Sequence, residues 1–201
     1  MNIAFIIYDL KHRVLNMYWL RIASDYPNSN WFEYKHSDIS GSAFSQCKSI
    51  ETNEGYFFTL KSKVSEKALL AYDFYYSDGP IFISPRLASL ISCHDVFRTD
   101  VQLIDATVSV NETQHQGYKI INILREVSCI DMEASESQPI LIYLPNGPRK
   151  FSKIVFKEKV VEDFSMARCS EYKSCIIISN EFKEFLSKNN VKGIDFADPI
   201  Y

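Results

Sequence analysis

Nowhere in this sequence of 201 residues does an uncharged apolar stretch approach the roughly 18 residues that a membrane-spanning helix requires; runs such as Ile140 to Leu144 fall far short. No membrane partner is expected. Glycine is scarce, at 6 residues, and none of them builds a phosphate-cradling loop. A GxSxG elbow, an HExxH pair and a CxxC couple are missing too, so the common local signatures of nucleotide binding, serine hydrolysis and zinc catalysis have no place here. The four histidines, His12, His36, His94 and His115, stand apart and read as loop or surface residues. No charge of one sign dominates: 22 Lys+Arg face 25 Asp+Glu, for a net charge of -3, which argues against a nucleic-acid partner. The apolar opening Ile3 to Ile7 has no basic residue ahead of it and is shorter than a signal-peptide core of roughly 7 to 15 residues. It reads as a strand, and a cytoplasmic location is expected.

The composition itself is globular, with 46% hydrophobic and 23% charged residues, so the chain has the apolar material for a core. Five cysteines (Cys47, Cys93, Cys129, Cys169 and Cys175) are scattered, and without an export signal they are expected as reduced, buried thiols. Cys169 and Cys175 could approach across neighbouring strands. A Cys93–His94 nucleophile is disfavoured, because side chains adjacent in sequence usually point apart.

Most of the chain reads as short strands rich in aromatic and β-branched residues. They cover Tyr56 to Leu60, Leu69 to Tyr76, Val101 to Val110, Gln116 to Leu124, Pro139 to Leu144 and Phe151 to Val161. One early helix is predicted around Leu15 to Ala23, where Leu15, Tyr18, Trp19 and Ile22 recur at helical spacing. The clearest internal pattern is a repeat: residues 81–101 align without gaps on residues 176–196. Each copy has an apolar strand, a serine suited to cap a helix (Ser84, Ser179), and an amphipathic helical turn pattern (Leu87, Leu90, Ile91; Phe182, Phe185, Leu186). Val96 and Val191 are expected to lead into a returning strand. The fold class is therefore α+β, mainly short antiparallel or mixed strands with a duplicated strand-helix-strand unit. Residues 1–80 are read as an N-terminal strand-rich subdomain that matches nothing recognised, and 81–201 as an α+β region that carries both copies.

Candidate chemistry rests on two charged runs and the aromatics. Between Glu126 and Glu136 lie four carboxylates (Glu126, Asp131, Glu133, Glu136) and no basic residue. Continued as a strand, this run would put Asp131 and Glu133 on one face about 7 Å apart, a spacing open to a solvated edge, a partner-facing patch, a hard cation or acid/base catalysis. Residues Arg149 to Lys159 hold five bases against one acid, with alternate apolar positions, and read as the wet face of a strand. The clusters Trp31-Phe32-Glu33-Tyr34 and Tyr72-Asp73-Phe74-Tyr75-Tyr76 offer anchors for an interface, with Phe suited to the core and Tyr to the contact.

Two stretches resemble a known family. One runs from Tyr118 through the apolar Ile120–Leu124 to Asp131 and Ser135; the other runs from Ile176 through Ser179 to Gly193, Phe196 and Pro199. Ile83-Ser84-Pro85-Arg86-Leu87 is similar to the family's upstream copy, whereas Phe164-Ser-Met-Ala-Arg168 departs from its Phe-Arg pair. These are features of bacterial immunity proteins of polymorphic-toxin and interbacterial-competition systems, and the resemblance covers roughly residues 80–201. It implies binding of a cognate toxin protein, no cofactor, no metal and no catalysis. Glu126, Asp131, Glu133 and Glu136, flanked by Tyr118, are the expected partner-binding residues. A small carboxylate-dependent hydrolase or sugar-active enzyme is the alternative, and an assembly subunit a third reading.

Overall fold

A computed structural model describes residues 17–36, 38–51, 55–60, 62–145, 147–158, 160 and 163–197. The strand expected at Ile3 to Ile7, and His12, lie outside the described residues. The fold is α+β with strands predominant.

Six strands close a barrel: β2 (Trp31–Lys35), β3 (Tyr56–Leu60), β4 (Phe74–Ser77), β5 (Phe82–Ile83), β6 (Val101–Val110) and β7 (Thr113–Ile123), in the order β2-β3-β6-β7-β5-β4. Closure leaves the barrel no free edge. Alternation sorts β3 as a half-buried strand should: Tyr56, Phe58 and Leu60 point inward while Phe57 faces out. The interior is filled by aromatic rings, with Phe58 stacked on Phe82 at 4.1 Å and Phe82 on Tyr75 at 5.1 Å. The β6–β7 hairpin turns on Asn111 and Glu112, whose φ values of 48° and 68° are those of a two-residue turn matched to strand twist.

A second sheet has the order β13-β1-β12-β11-β8, built from β1 (Met17–Ile22), β8 (Glu126–Val127), β11 (Met166–Cys169), β12 (Ile176–Ser179) and β13 (Ile194–Ala197). It is covered on both faces. Ile176 and Ile178 join one core with Phe182 and Leu186 of the following helix, and Ile177 joins another with Met17 and Cys169. This double burial corrects the described part, from Met17 on, of the helix predicted over Leu15 to Ala23, whose first two residues lie outside the described residues. Central strand β1 needs apolar side chains on both faces, Leu20 on one and Met17 on the other, and an almost unbroken apolar run imitates helical spacing. A two-stranded hairpin, β9 (Glu136–Pro139) with β10 (Arg149–Lys153), stands apart from both sheets.

Among the described residues there are four short α-helices, α1 (Glu66–Leu69), α2 (Pro85–Ser92), α3 (Asp95–Arg98) and α4 (Asn180–Lys188), besides two 3-10 turns. Leu69 therefore ends a helix, and the strand expected from there begins only at Phe74. Ser84 Oγ accepts from Leu87 N–H and Ser179 Oγ from Phe182 N–H, each at 3.1 Å, so both serines cap helices. Beyond the caps the two units diverge. β5 belongs to the barrel and β12 to the second sheet, and Val96 lies in α3 instead of leading straight into a strand. Nor does the pairing break near residue 80, since β4 on one side is hydrogen-bonded to β5 on the other.

Barrel and second sheet meet at Asp73, just before β4. Its carboxylate is 4% exposed and accepts from Ser84 Oγ (2.8 Å), Arg86 Nε (3.0 Å), Arg86 Nη2 (2.5 Å) and Lys192 N–H (3.1 Å). Its neighbour Phe74 N–H donates to Lys192 O, and Tyr76 Oη donates to Gly193 O. Gly193 sits at φ 99°, and a Cβ there would lie 2.7 Å from Phe74 O, so only glycine allows this approach. Asp73→Ala removes the shared acceptor and strands the Ser84 hydroxyl and Lys192 N–H. It should lower stability by about 3 kcal/mol in urea unfolding, whereas an unchanged midpoint would place the strength of this seam elsewhere.

Candidate partner-binding face

The acidic run leaves β8 and crosses the outer face of the second sheet as an irregular segment before entering β9. Its root is firmly built. Asp131 N–H donates to Val155 O at 2.8 Å, Lys157 N–H donates to Cys129 O at 2.9 Å, and Ile130 bridges Phe156. Beneath lies the core of Val127, Cys129, Ile130, Ile154, Phe156 and Ile177. Ile154, Phe156 and Val160 thus point inward, as the alternation in the basic run predicts, although the regular strand ends at Lys153.

Cys129 and Cys169 are disulfide-paired in this core with Cα atoms 5.8 Å apart, a separation such a link spans. Five reduced thiols were the expectation, and this pairing corrects it: Cys47, Cys93 and Cys175 are the free cysteines. The correction comes from tertiary packing, which lays the 129–131 segment directly over β11. Burial pushes the Cys175 thiol up to about 12.

The four carboxylates do not share one strand face. Glu126 pairs with Lys173. Asp131 Oδ1 accepts from Glu133 N–H and Ala134 N–H, both at 3.0 Å, which folds the chain into a turn and separates Asp131 from Glu133. Glu133 and Glu136 are exposed, Glu136 standing opposite Lys153 in the hairpin register. Glu136 and the basic run therefore lie on the two sides of one hairpin, and the 129–131 segment runs beside 155–157. Among the described residues, no three His, Cys, Asp or Glu side chains converge on a cation. Tyr118 lies inside the barrel at 2% exposure, in a different core from the acidic run.

Other anchors also turn inward. Tyr75 and Tyr76 are buried, and burial raises both phenols well above their ordinary value. Trp31 remains exposed, stacked over Tyr76. Of the described histidines, His36 Nδ1 accepts from Asp38 and Ile39 N–H, His94 packs on Phe97 and Phe185, and His115 stands 3.2 Å from Glu66. None of them faces Cys93 as a base.

Sequence reasoning overlooked the segment after Pro139. Read as a strand, Ile140 to Leu144 is instead the exposed tip between β9 and β10. The signal was there, since this apolar run sits between Pro139 and Pro145-Asn146-Gly147, which limit strand pairing and favour a turn.

A family model for the immunity protein family Imm11 matches residues 32–199, taking in most of the barrel, the hairpin and the greater part of the second sheet. The chain belongs to this family. The match begins well upstream of residue 80, so the barrel strands β2 to β4 are part of the Imm11 fold. No curated protein matches the chain significantly. In this Imm11 member the root of the candidate face is held electrostatically as well. Glu171 accepts from Ser128 Oγ (2.6 Å) and Cys129 N–H (3.3 Å) and lies 3.4 Å from Lys157 Nζ. Burial alone would raise the Glu171 carboxyl, but hydrogen bonds from Ser128 and from the N–H groups of Cys129 and Ile130 together hold it below its ordinary value. A lowered folded-state value means the stabilisation is present above the unfolded-state value and lost as pH falls through the folded one. The gap in unfolding midpoint between this protein and Glu171→Gln should accordingly be widest near neutrality and close in acid; a gap independent of pH would contradict this role.

Proposed function

We propose that this chain neutralises a cognate toxin domain by binding it inside the producing cell, making and breaking no bond itself. The observation that carries this reading is the family match across residues 32–199. Protection at low free toxin concentration requires nanomolar to picomolar affinity, about 12 to 16 kcal/mol. An interface of roughly 1,600 Å² reaches that range when it is preorganised and holds a few buried anchors. The rooted segment over the second sheet is preorganised in this sense.

Within the acidic run the four carboxylates take different parts. Glu126 and Asp131 are engaged by Lys173 and by the local turn, and they keep the face in shape. Glu133 and Glu136 project into solvent and meet a basic toxin surface, which speeds encounter. Tyr118 supports the barrel from inside.

Finding a toxin domain encoded by a neighbouring gene and titrating it with this chain tests the function: its activity should fall linearly and vanish at one chain per toxin. Complete inactivation at a small fraction of that ratio would instead reveal turnover. Reversing Glu133 and Glu136 to Lys should slow association about tenfold at low salt and flatten its dependence on ionic strength, with unfolding unchanged. Identical association kinetics would take these two carboxylates out of the interface.

A further inference from the structure

Five consecutive apolar residues, Ile140 to Leu144, stand in solvent at the hairpin tip, with exposures of 60%, 39%, 94%, 81% and 45% in chain order. Apolar surface gains by leaving water, and a contiguous run of it outside the core marks a contact surface. Scattered exposed residues such as Val96 need no such account.

The tip is held in one shape. Leu144 N–H donates to Leu141 O, Gly147 N–H to Leu144 O and Ile140 N–H to Pro148 O, each at 2.9 Å. Arg149 ties the two sides together, donating to Ser137 Oγ (2.8 Å), Ser137 O (3.0 Å) and Pro145 O (3.3 Å). A Cβ on Gly147 would meet the Leu144 side chain at 2.7 Å, so the returning strand packs directly under it. At its base the hairpin is fixed by Phe151 against Tyr172, with ring centroids 5.1 Å apart. An apolar loop already clamped in this way loses little conformational entropy when it is covered.

We propose that Ile142 and Tyr143 are anchor residues that enter an apolar cleft on the toxin domain, the hairpin acting as a wedge; this rests on the toxin-binding reading given above. An apolar centre flanked by the charged residues Glu133, Glu136, Lys150 and Lys153 has the core-and-rim composition of a protein interface. A lipid surface suits it less well. Residues 131–153 carry three carboxylates (Asp131, Glu133, Glu136) against three bases (Arg149, Lys150, Lys153), so the stem lacks the basic excess that holds a loop on anionic lipid. A second copy of this chain docking tip to tip would bury five side chains on each, short of the roughly 800 Å² per partner of a stable interface. The toxin can cover the tip and the charged flank together.

The test compares the full chain with Ile142→Asp/Tyr143→Asp, using Val96→Asp as a control that places the same kind of charge at a distant exposed site. Affinity for the toxin domain encoded beside the gene should fall at least 30-fold in the double variant and stay unchanged in the control, with equal unfolding midpoints for all three. Unchanged affinity in the double variant overturns the wedge while leaving the immunity reading intact. Failure of the unaltered chain to bind or neutralise the toxin removes the immunity reading itself. Sedimentation with phosphatidylserine–phosphatidylcholine vesicles, or self-association, that the double substitution abolishes while toxin affinity is unchanged would assign the tip to lipid or to a second copy and equally overturn the proposal.

Discussion

One buried carboxylate connects the two halves of this molecule. Asp73 leaves water to accept four hydrogen bonds from two separate segments: the start of α2, through the Ser84 hydroxyl and the Arg86 guanidinium, and the backbone before β13. A carboxylate taken out of water without such partners would cost several kcal/mol, so the barrel and the second sheet are held to the one arrangement that supplies them. Donating to Asp73 also raises the already high basicity of the Arg86 guanidinium. Around this point Gly193 brings two backbones close enough for Tyr76 to reach its carbonyl, and the apolar core between α2, α4 and the second sheet forms alongside.

From that frame the third core follows. The outer face of the second sheet would expose Ile177, Ala167 and Trp19 if nothing lay over it, and the segments around 129–131 and 154–160 cover it. The hairpin is the continuation of this cover into solvent. Its stiffness therefore comes from below: hydrogen bonds to Val155 and Cys129, the Glu171 cluster and the paired cysteines fix the root, and Arg149 fixes the stem. Such rigidity holds the apolar tip in one shape.

Electrostatics changes meaning once the chain is folded. Along the sequence, an acidic run and a basic run look like two separate patches of opposite sign. In space they are neighbours, with Glu136 across from Lys153 and Asp131 N–H bonded to Val155 O, while Glu126 and Lys157 find their ion-pair partners, Lys173 and Glu171, outside the two runs. The face that remains is mixed in charge, with Glu133 and Glu136 at its surface. The long-range field of such a mixed face is modest and falls with salt.

Local physics made several features readable from the residues alone. A serine before an amphipathic segment is a cap wherever it occurs, hence Ser84 and Ser179. Strict alternation over Tyr56 to Leu60 and β-branched density over Val101 to Val110 give strands with the expected bounds. The resemblance from Tyr118 onward led to an immunity protein family, which the match over residues 32–199 bears out. What depends on neighbours distant in the chain was not readable. Whether Met17 to Ile22 winds or extends was decided by β12 and β13 pairing on either side of it, and which cysteines meet was decided by a segment crossing β11 forty residues away. The apolar run at Ile140 to Leu144 looked like any buried strand because hydrophobicity says only that a side chain gains from leaving water. Whether its own fold or another molecule supplies the cover is fixed by tertiary packing, and here that packing leaves it outside.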